Sequence, residues 1–243
     1  MIKAALEYIV GLNKANIISY QGGMFADKAL HQVKKANFPT LEMNTLEGIV
    51  RYLKGIGDER GREESEGAPI IVQIESERSV ALRDVADAAE GRRDCMARAT
   101  AEPPTFRYGE FYDAESFNIA LQSKFQPTED RATILQVIGN LKEDSVRTMT
   151  DDGVSQVTAV RTGVATVADV KVPNPVQLQP FRTFAEIEQP ESQFVFRMRE
   201  GGKCAIFEAD GGVWKLDAKR NIYEYLAREL REEIEKGGVV LIL

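Results

Sequence analysis

The residues in this chain best suited to chemistry are four cations, Arg182, Arg197, Arg199 and Lys203. An arginine fork holds a phosphate or carboxylate through two parallel hydrogen bonds, so arginines gathered on one sheet face can capture an anion. Arg197, Arg199 and Lys203 bracket Gly201-Gly202, a dipeptide that supplies the positive φ of a tight hairpin turn, and Arg182 is placed on an adjoining strand. Phe106, Tyr108, Phe111 and Tyr112 form an aromatic cluster, whose rings could stack on a base. The candidate ligand-binding set is therefore Arg182, Arg197, Arg199, Lys203, Phe111 and Tyr112. Both groups also have a plainer use. Alternating charge on a strand is ordinarily a solvated face or an ion-pair layer, here with Glu186, Glu188 and Glu208, and aromatics are ordinarily core. Spacing alone favours the plainer use.

Other chemistry finds little material. The single histidine, His31, has no Gly-x-Ser-x-Gly elbow or neighbouring nucleophile signature. Two distant cysteines, Cys95 and Cys204, cannot join one histidine in a standard zinc site. The Gly-Gly pairs lie between strands and do not open helices, so no phosphate-binding loop or dinucleotide fingerprint is present. Carboxylates remain: Glu143, Asp144, Asp151 and Asp152, and a Glu208, Asp210, Lys215 spacing that loosely resembles a nuclease site. Asp-Asp-Gly and Asp-Gly-Gly are also what tight turns demand, and that reading is the stronger. No catalytic residue, metal ligand or cofactor is expected.

Net charge sets a further limit. At −7, with 31 basic residues among 38 acidic ones, the chain is neither a broad binder of nucleic acid nor a simple polyanion mimic. A local basic pocket is compatible with that balance. The apolar run at 237–243 is too short to span a membrane, and 2–13 reads as an amphipathic helix with Glu7 inside it, not as a signal peptide. The expectation is a soluble, cytoplasmic protein with reduced cysteines.

The elements that must position the candidate residues follow from periodicity. Phe194, Phe196 and Met198 alternate with Val195, Arg197 and Arg199, and Cys204, Ile206 and Glu208 alternate with Ala205 and Phe207 on the return strand. Asp210-Gly211-Gly212 reads as a second hairpin turn leading into a strand at 213–216. Val176 and Leu178 begin a strand beside Pro173, Pro175 and Pro180, which place it at a sheet edge or interrupt it with bulges. Upstream, hairpin arms are expected at 16–20 and 24–33, and strands at 39–43, 69–74, 79–82, 94–99, 145–149, 154–161 and 162–172. Helices are expected after an Asn44/Glu47 capping box, after Asp113 (with Phe117, Ala120, Leu121 and Phe125 inward) and after Pro127-Thr128. A last helix runs from Asn221, with Ile222, Tyr225, Leu226, Leu230 and Ile234 on its stripe, to a Gly237-Gly238 cap and a buried strand at 239–243. Residues 57–67 hold no apolar side chain and read as a mobile loop on a single α+β domain over 1–243, mainly an antiparallel sheet with hairpins and four to five helices.

Several motifs occur together in order: Phe106-x-x-Gly109-x-Phe111-Tyr112, Leu121-Gln122-Ser123-x-Phe125, Asp151-Asp152-Gly153-x-Ser155-Gln156, Pro173-Asn174-Pro175-Val176, Pro180-Phe181-Arg182-Thr183-Phe184-x-Glu186-x-x-Gln189-Pro190 and Phe207-Glu208-Ala209-Asp210-Gly211-Gly212-x-Trp214-Lys215. In these the chain resembles the YfdQ-like family of phage and prophage proteins of unknown function. The resemblance covers most of the chain and is strongest between Phe106 and Trp214. It implies an accessory gene of the phage early region and supplies no catalytic residue. The first expectation is a non-catalytic binding protein that counters host defence by sequestering a nucleotide signal or host component. A recombination-associated oligomer acting on single-stranded DNA or a nuclease partner is the alternative, followed by a metal-dependent phosphodiesterase and a structural virion protein. Exposed prolines and β-rich edges point to a homo-oligomer, with a nucleotide or a host protein as the possible partner and no membrane.

Overall fold

The computed structural model describes residues 3, 11, 17–20, 23–26, 39–56, 69–84, 93–139, 146–151, 156–162 and 165–243. The chain divides into two compact units, Met1–Phe38 and Pro39–Leu243. In the first, β1 (Ile17–Tyr20) pairs antiparallel with β2 (Gly23–Ala26), Tyr20 opposite Gly23, as the Gly-rich turn predicts. Lys3 and Gly11 are helical, but the rest of the helix expected over 2–13, the far arm of that hairpin with His31, and the loop at 57–67 lie outside the described residues.

The second unit begins with β3 (Leu41–Met43), α1 (Leu46–Ile56), β4 (Ile70–Ser76), β5 (Ser79–Arg83) and β6 (Cys95–Thr100). Next come α2 (Ala114–Lys124), α3 (Glu129–Gly139), β7 (Val146–Asp151), β8 (Gln156–Thr162), β9 (Ala165–Val172) and β10 (Val176–Leu178). The chain closes with β11 (Ser192–Arg199), β12 (Lys203–Glu208), α4 (Trp214–Glu229), α5 (Arg231–Glu235) and β13 (Val239–Ile242). This is the expected α+β class. Pairing is mainly antiparallel, but β13 runs parallel to β4 and β3 parallel to β6.

Two hydrophobic cores organise the unit. The first lies under a five-stranded sheet of order β13-β4-β5-β6-β3. Val72 and Ile74 of β4, Val80 and Leu82 of β5, and Ala97 and Ala99 of β6 meet the helical stripe of Leu46, Ile49, Val50 and Leu53 and that of Ile222, Leu226 and Leu230. Each side chain comes from the expected period, 2 on the strands and 3.6 on the helices. The second core lies between the three-stranded sheet β10-β11-β12 and helices α2 and α3. Phe194, Phe196 and Met198 meet Phe117, Leu121 and Phe125 there, with Ile134, Val137 and Ile138 beyond. A further antiparallel sheet, β7-β8-β9, brings Val172 into this second core. The Asp152-Gly153 turn between β7 and β8 lies outside the described residues, where the register ends at Asp151 opposite Gln156.

The first core is assembled from both ends of the unit, so the second is nested within it in sequence. Residues 179–191, which join β10 to β11, tie the two together. Phe184 and Ile187 enter the first core, while the Phe181 N–H donates to the Lys124 carbonyl at the end of α2, 3.0 Å away. Gln189 is almost fully buried, and its Oε1 accepts the N–H groups of Arg182 and Thr183 at 2.9 and 3.2 Å. Its Nε2 donates to the carbonyls of Phe184 and Ile187, so the loop closes around its own side chain.

Three local expectations are corrected. The α1 cap is Thr45, whose Oγ1 accepts the Gly48 N–H at 3.1 Å. Asn44 and Glu47 do not form the box, because Glu186 Oε1 takes the Leu46 N–H at 2.8 Å and Glu47 turns outward to Arg51. The expected strand at 213–216 is the first turn of α4, which starts at Trp214 and not after Asn221. Gly211 and Gly212, at φ +63° and +83°, reverse the chain, and Asp210 accepts the N–H groups of Gly212 and Trp214. Trp214, Ala218, Ile222 and Leu226 then form a buried i, i+4 stripe, leaving Asn221 mid-helix to hydrogen-bond the Glu188 carbonyl at 2.9 Å. Helix α4 ends at Glu229 with Leu230 as its cap, Arg228 pairs with Glu229 and Lys236 with Glu232. The Gly237 cap forms with φ +72°, but β13 is an edge strand with only Val239 buried.

Candidate functional site

The hairpin β11–β12 carries a candidate site at its turn. A single 3₁₀ turn, Glu200–Gly202, links the strands with Gly201 at φ +78° and Gly202 at φ +71°. The register sets Arg199 opposite Lys203, Arg197 opposite Ala205 and Val195 opposite Phe207. Directly opposed residues share a face, and this face points away from the second core, because Phe194, Phe196 and Met198 occupy the other. Residues 109–112 extend the sheet along the free edge of β12. The Tyr112 N–H and carbonyl exchange hydrogen bonds with Cys204 at 2.9 and 2.8 Å, and the Gly109 N–H donates to the Ile206 carbonyl at 2.8 Å.

Strand alternation then decides where each aromatic goes. Tyr112, opposite Cys204, turns inward and stacks on Phe106 with ring centroids 5.2 Å apart. Phe111 turns outward. Its ring lies 3.9 Å beneath the Arg199 guanidinium and edge-on to Phe207 at 6.1 Å, and Phe207 is 36% exposed. Arg199 and Lys203 are exposed and hold no carboxylate among the described residues. Arg197 is half-buried, and its Nη1 donates to the Phe196 carbonyl at 3.1 Å. Phe111, Phe207, Arg199 and Lys203 thus share one surface, bordered by the half-buried Arg197 and its buried register partner Ala205.

Arg182 is placed at the opposite end of the hairpin, roughly 20 Å from Arg199 at about 3.3 Å per strand residue. It is 2% exposed. Its guanidinium stacks on Trp214 at 4.0 Å, its Nη1 reaches Glu208 Oε1 at 3.1 Å, and its Nη2 donates to Ser192 Oγ. Ser192 in turn donates to Asp210 Oδ2 at 2.7 Å, and Asp210 Oδ1 accepts the Gly212 N–H at 3.0 Å. Arg78 Nε caps the Arg182 carbonyl at 2.9 Å. Burial draws the Arg182 guanidinium below its ordinary value, against the pull of Tyr108, Glu208 and Asp210. An arginine remains charged through such a shift. Burial likewise pushes the Tyr108 phenol up to about 12, with Arg182 opposing and Glu208 assisting.

Of the sequence-derived set, Phe111, Arg197, Arg199 and Lys203 come together. Arg182 and Tyr112 do not: one is a structural hub and the other belongs to the aromatic layer over the second core. Sequence reasoning did not single out Phe207 as a site residue, although its alternation with Ile206 already places it on the outward face. Glu208 and Asp210 meet in the Arg182 network, where Arg182 and Ser192 engage them, and Lys215 Nζ lies 5.9 Å from the Trp214 ring. Among the described residues no group of three or more His, Cys, Asp or Glu side chains is placed to hold a metal ion. No helix there is long and apolar enough to cross a membrane. A shallow groove of about 450 Å³ beside Asp210 and Trp214 is lined by Glu191, Gln193 and Asp217 among others. No protein-family model, curated protein or solved structure matches the chain.

Proposed function

We propose that the protein is a non-catalytic binding protein of phage or prophage origin, and that the outward face at the β11–β12 turn takes an anionic ligand carrying an aromatic ring. A nucleotide is the class that fits. The observation that carries this reading is the Arg199 guanidinium held 3.9 Å over Phe111, beside the exposed ring of Phe207 and the opposed Lys203. Stacking on a ring fixes the guanidinium plane while leaving its edge N–H groups free for phosphate oxygens. Lys203 adds a second positive charge, and Phe207 offers a face on which a base can stack. The resemblance to a phage accessory family supplies the setting: in the host cytoplasm such a face would sequester a nucleotide signal and blunt a defence response.

Isothermal titration of the full chain with mononucleotides, cyclic dinucleotides and ADP-ribose at low salt tests the reading. Saturable binding is expected, weakened at least tenfold in both Arg199→Ala and Phe111→Ala. Binding that both variants retain would place the site elsewhere. No heat and no chemical-shift change with any nucleotide would remove the reading, and single-stranded DNA retained in a gel shift would favour a recombination role.

A further inference from the structure

The sheets around the two cores treat their edges differently. In the three-stranded sheet the outer edge of β10 is closed by Asp130 Oδ2, which takes the Gln177 N–H at 2.6 Å, and by Thr128 Oγ1, which donates to the Gln177 carbonyl at 3.3 Å. The outer edge of β12 is closed by Gly109 and Tyr112. In the five-stranded sheet β3 is a short edge, three residues long, with the exposed charge of Glu42 in its centre. Short and charged edges of this kind resist pairing with another chain. The edge at β13 is also short, four residues, but it carries no charge and no described side chain or strand is seen to close it. Val239–Ile242 is wholly apolar, and no described strand pairs with its outer side. Val240 and Ile242 are 43% and 42% exposed and continue onto Ile71, the register partner of Val240 on β4.

We propose that a second copy of this chain adds its own β13 to this edge, antiparallel, to make one sheet continuous across a two-fold axis. The sequence of the strand selects that occupant. In an antiparallel ladder directly opposed residues share a face, so a two-fold axis at Leu241 sets Leu241 against the partner's Leu241 on the core side. Val240 then meets the partner's Ile242 on the outer side, and every pair is apolar. A foreign peptide is recognised through pockets for its alternate side chains, whereas the outward side chains of β13 are the aliphatic Val240 and Ile242, bordered by Ile71 and Gln73 of β4. The two-fold arrangement also closes on itself, so it consumes the open edge and propagates no fibre.

The test is sedimentation velocity on the full chain across micromolar to sub-millimolar concentration. A species of twice the 27.1 kDa chain mass is expected. Val240→Lys, which adds a charge on the outer face without entering the core, should shift it at least tenfold toward monomer with unchanged thermal unfolding of the monomer. Register is read independently in a Cys95→Ser background: Val240→Cys combined with Ile242→Cys should cross-link when copper phenanthroline and oxygen oxidise the thiols, because opposed Cβ atoms lie about 5 Å apart. A wild-type chain that stays monomeric throughout overturns the proposal, as does a dimer indifferent to Val240→Lys or one that does not cross-link in this register.

Discussion

Arg182 lies 4.0 Å over Trp214, and Arg199 lies 3.9 Å over Phe111. The two stackings are nearly the same in distance and opposite in setting. Around Arg182 a carboxylate, a serine hydroxyl and a second ring close the guanidinium in, Phe194 lying 5.6 Å away. Around Arg199, which is exposed, the described residues supply the ring, the opposed Lys203 and no carboxylate. A cation over an aromatic ring therefore does not by itself distinguish a scaffold from a receptor. What distinguishes them is how many of the five N–H donors are already used.

Breaking the closed end should have the largest effect. Arg182→Ala removes a buried cation and its stacking, and removal of one partner from a buried pair costs about 3–5 kcal/mol. Glu208 is 42% exposed and can rehydrate, so a loss of ~3 kcal/mol is expected from urea unfolding. A loss below ~1 kcal/mol would show that the hub is not structural. Gly109→Ala should cost ~1–2 kcal/mol, since its φ of +78° penalises an L side chain, and it should also disturb nucleotide binding by moving Phe111 away from Phe207. Arg199→Ala should change stability by less than ~0.5 kcal/mol, being a surface substitution, while abolishing most of the nucleotide affinity.

The closed end also predicts a pH response. Burial pushes the Asp210 carboxyl up, but the Ser192 hydroxyl, the Gly212 N–H, Arg182 and the Trp214 N–H together pull it below its ordinary 3.8. The stabilisation is therefore complete above the titration of the unfolded aspartate and disappears as pH falls through the lower folded value. Melting temperature measured from pH 6 to pH 2 should drop less steeply in Asp210→Asn than in the wild type. Equal slopes would remove Asp210 from the account. The smallest effect belongs to the surface of α5, where loss of the Arg231–Glu235 pair should be worth no more than ~0.5 kcal/mol by thermal unfolding.

Much of the architecture was legible because single periods persist over whole elements. Phe194, Phe196 and Met198 declare the inward face of β11, and Leu46, Ile49, Val50 and Leu53 declare that of α1. The outward placement of Arg197 and Arg199 follows from the same alternation. What remained hidden depended on partners far away in sequence. Nothing local says that Glu186 will take the Leu46 N–H at the start of α1, or that Arg182, just after Pro180 and Phe181, will turn into the protein and meet Trp214. The strand expected at 213–216 failed because a window of four residues, Val213, Trp214, Lys215 and Leu216, cannot separate period 2 from period 3.6. Only the longer stripe Trp214, Ala218, Ile222, Leu226 does so.

The nesting of one core within the other has a kinetic consequence. The parallel pair β13–β4 joins residues from opposite ends of the unit, Val239 opposite Ile70, and everything in the second core lies between them. A loop of that length is slow to close from an unstructured chain, and long-range parallel pairing delays folding. If the inserted half collapses first, its compact form draws the two flanking segments near each other and shortens the search. Pulse-labelling by hydrogen exchange should then protect Phe196 and Ile206 before Val72 and Val239. The 179–191 strap, which touches both halves, would be the seam along which the later half docks onto the earlier one.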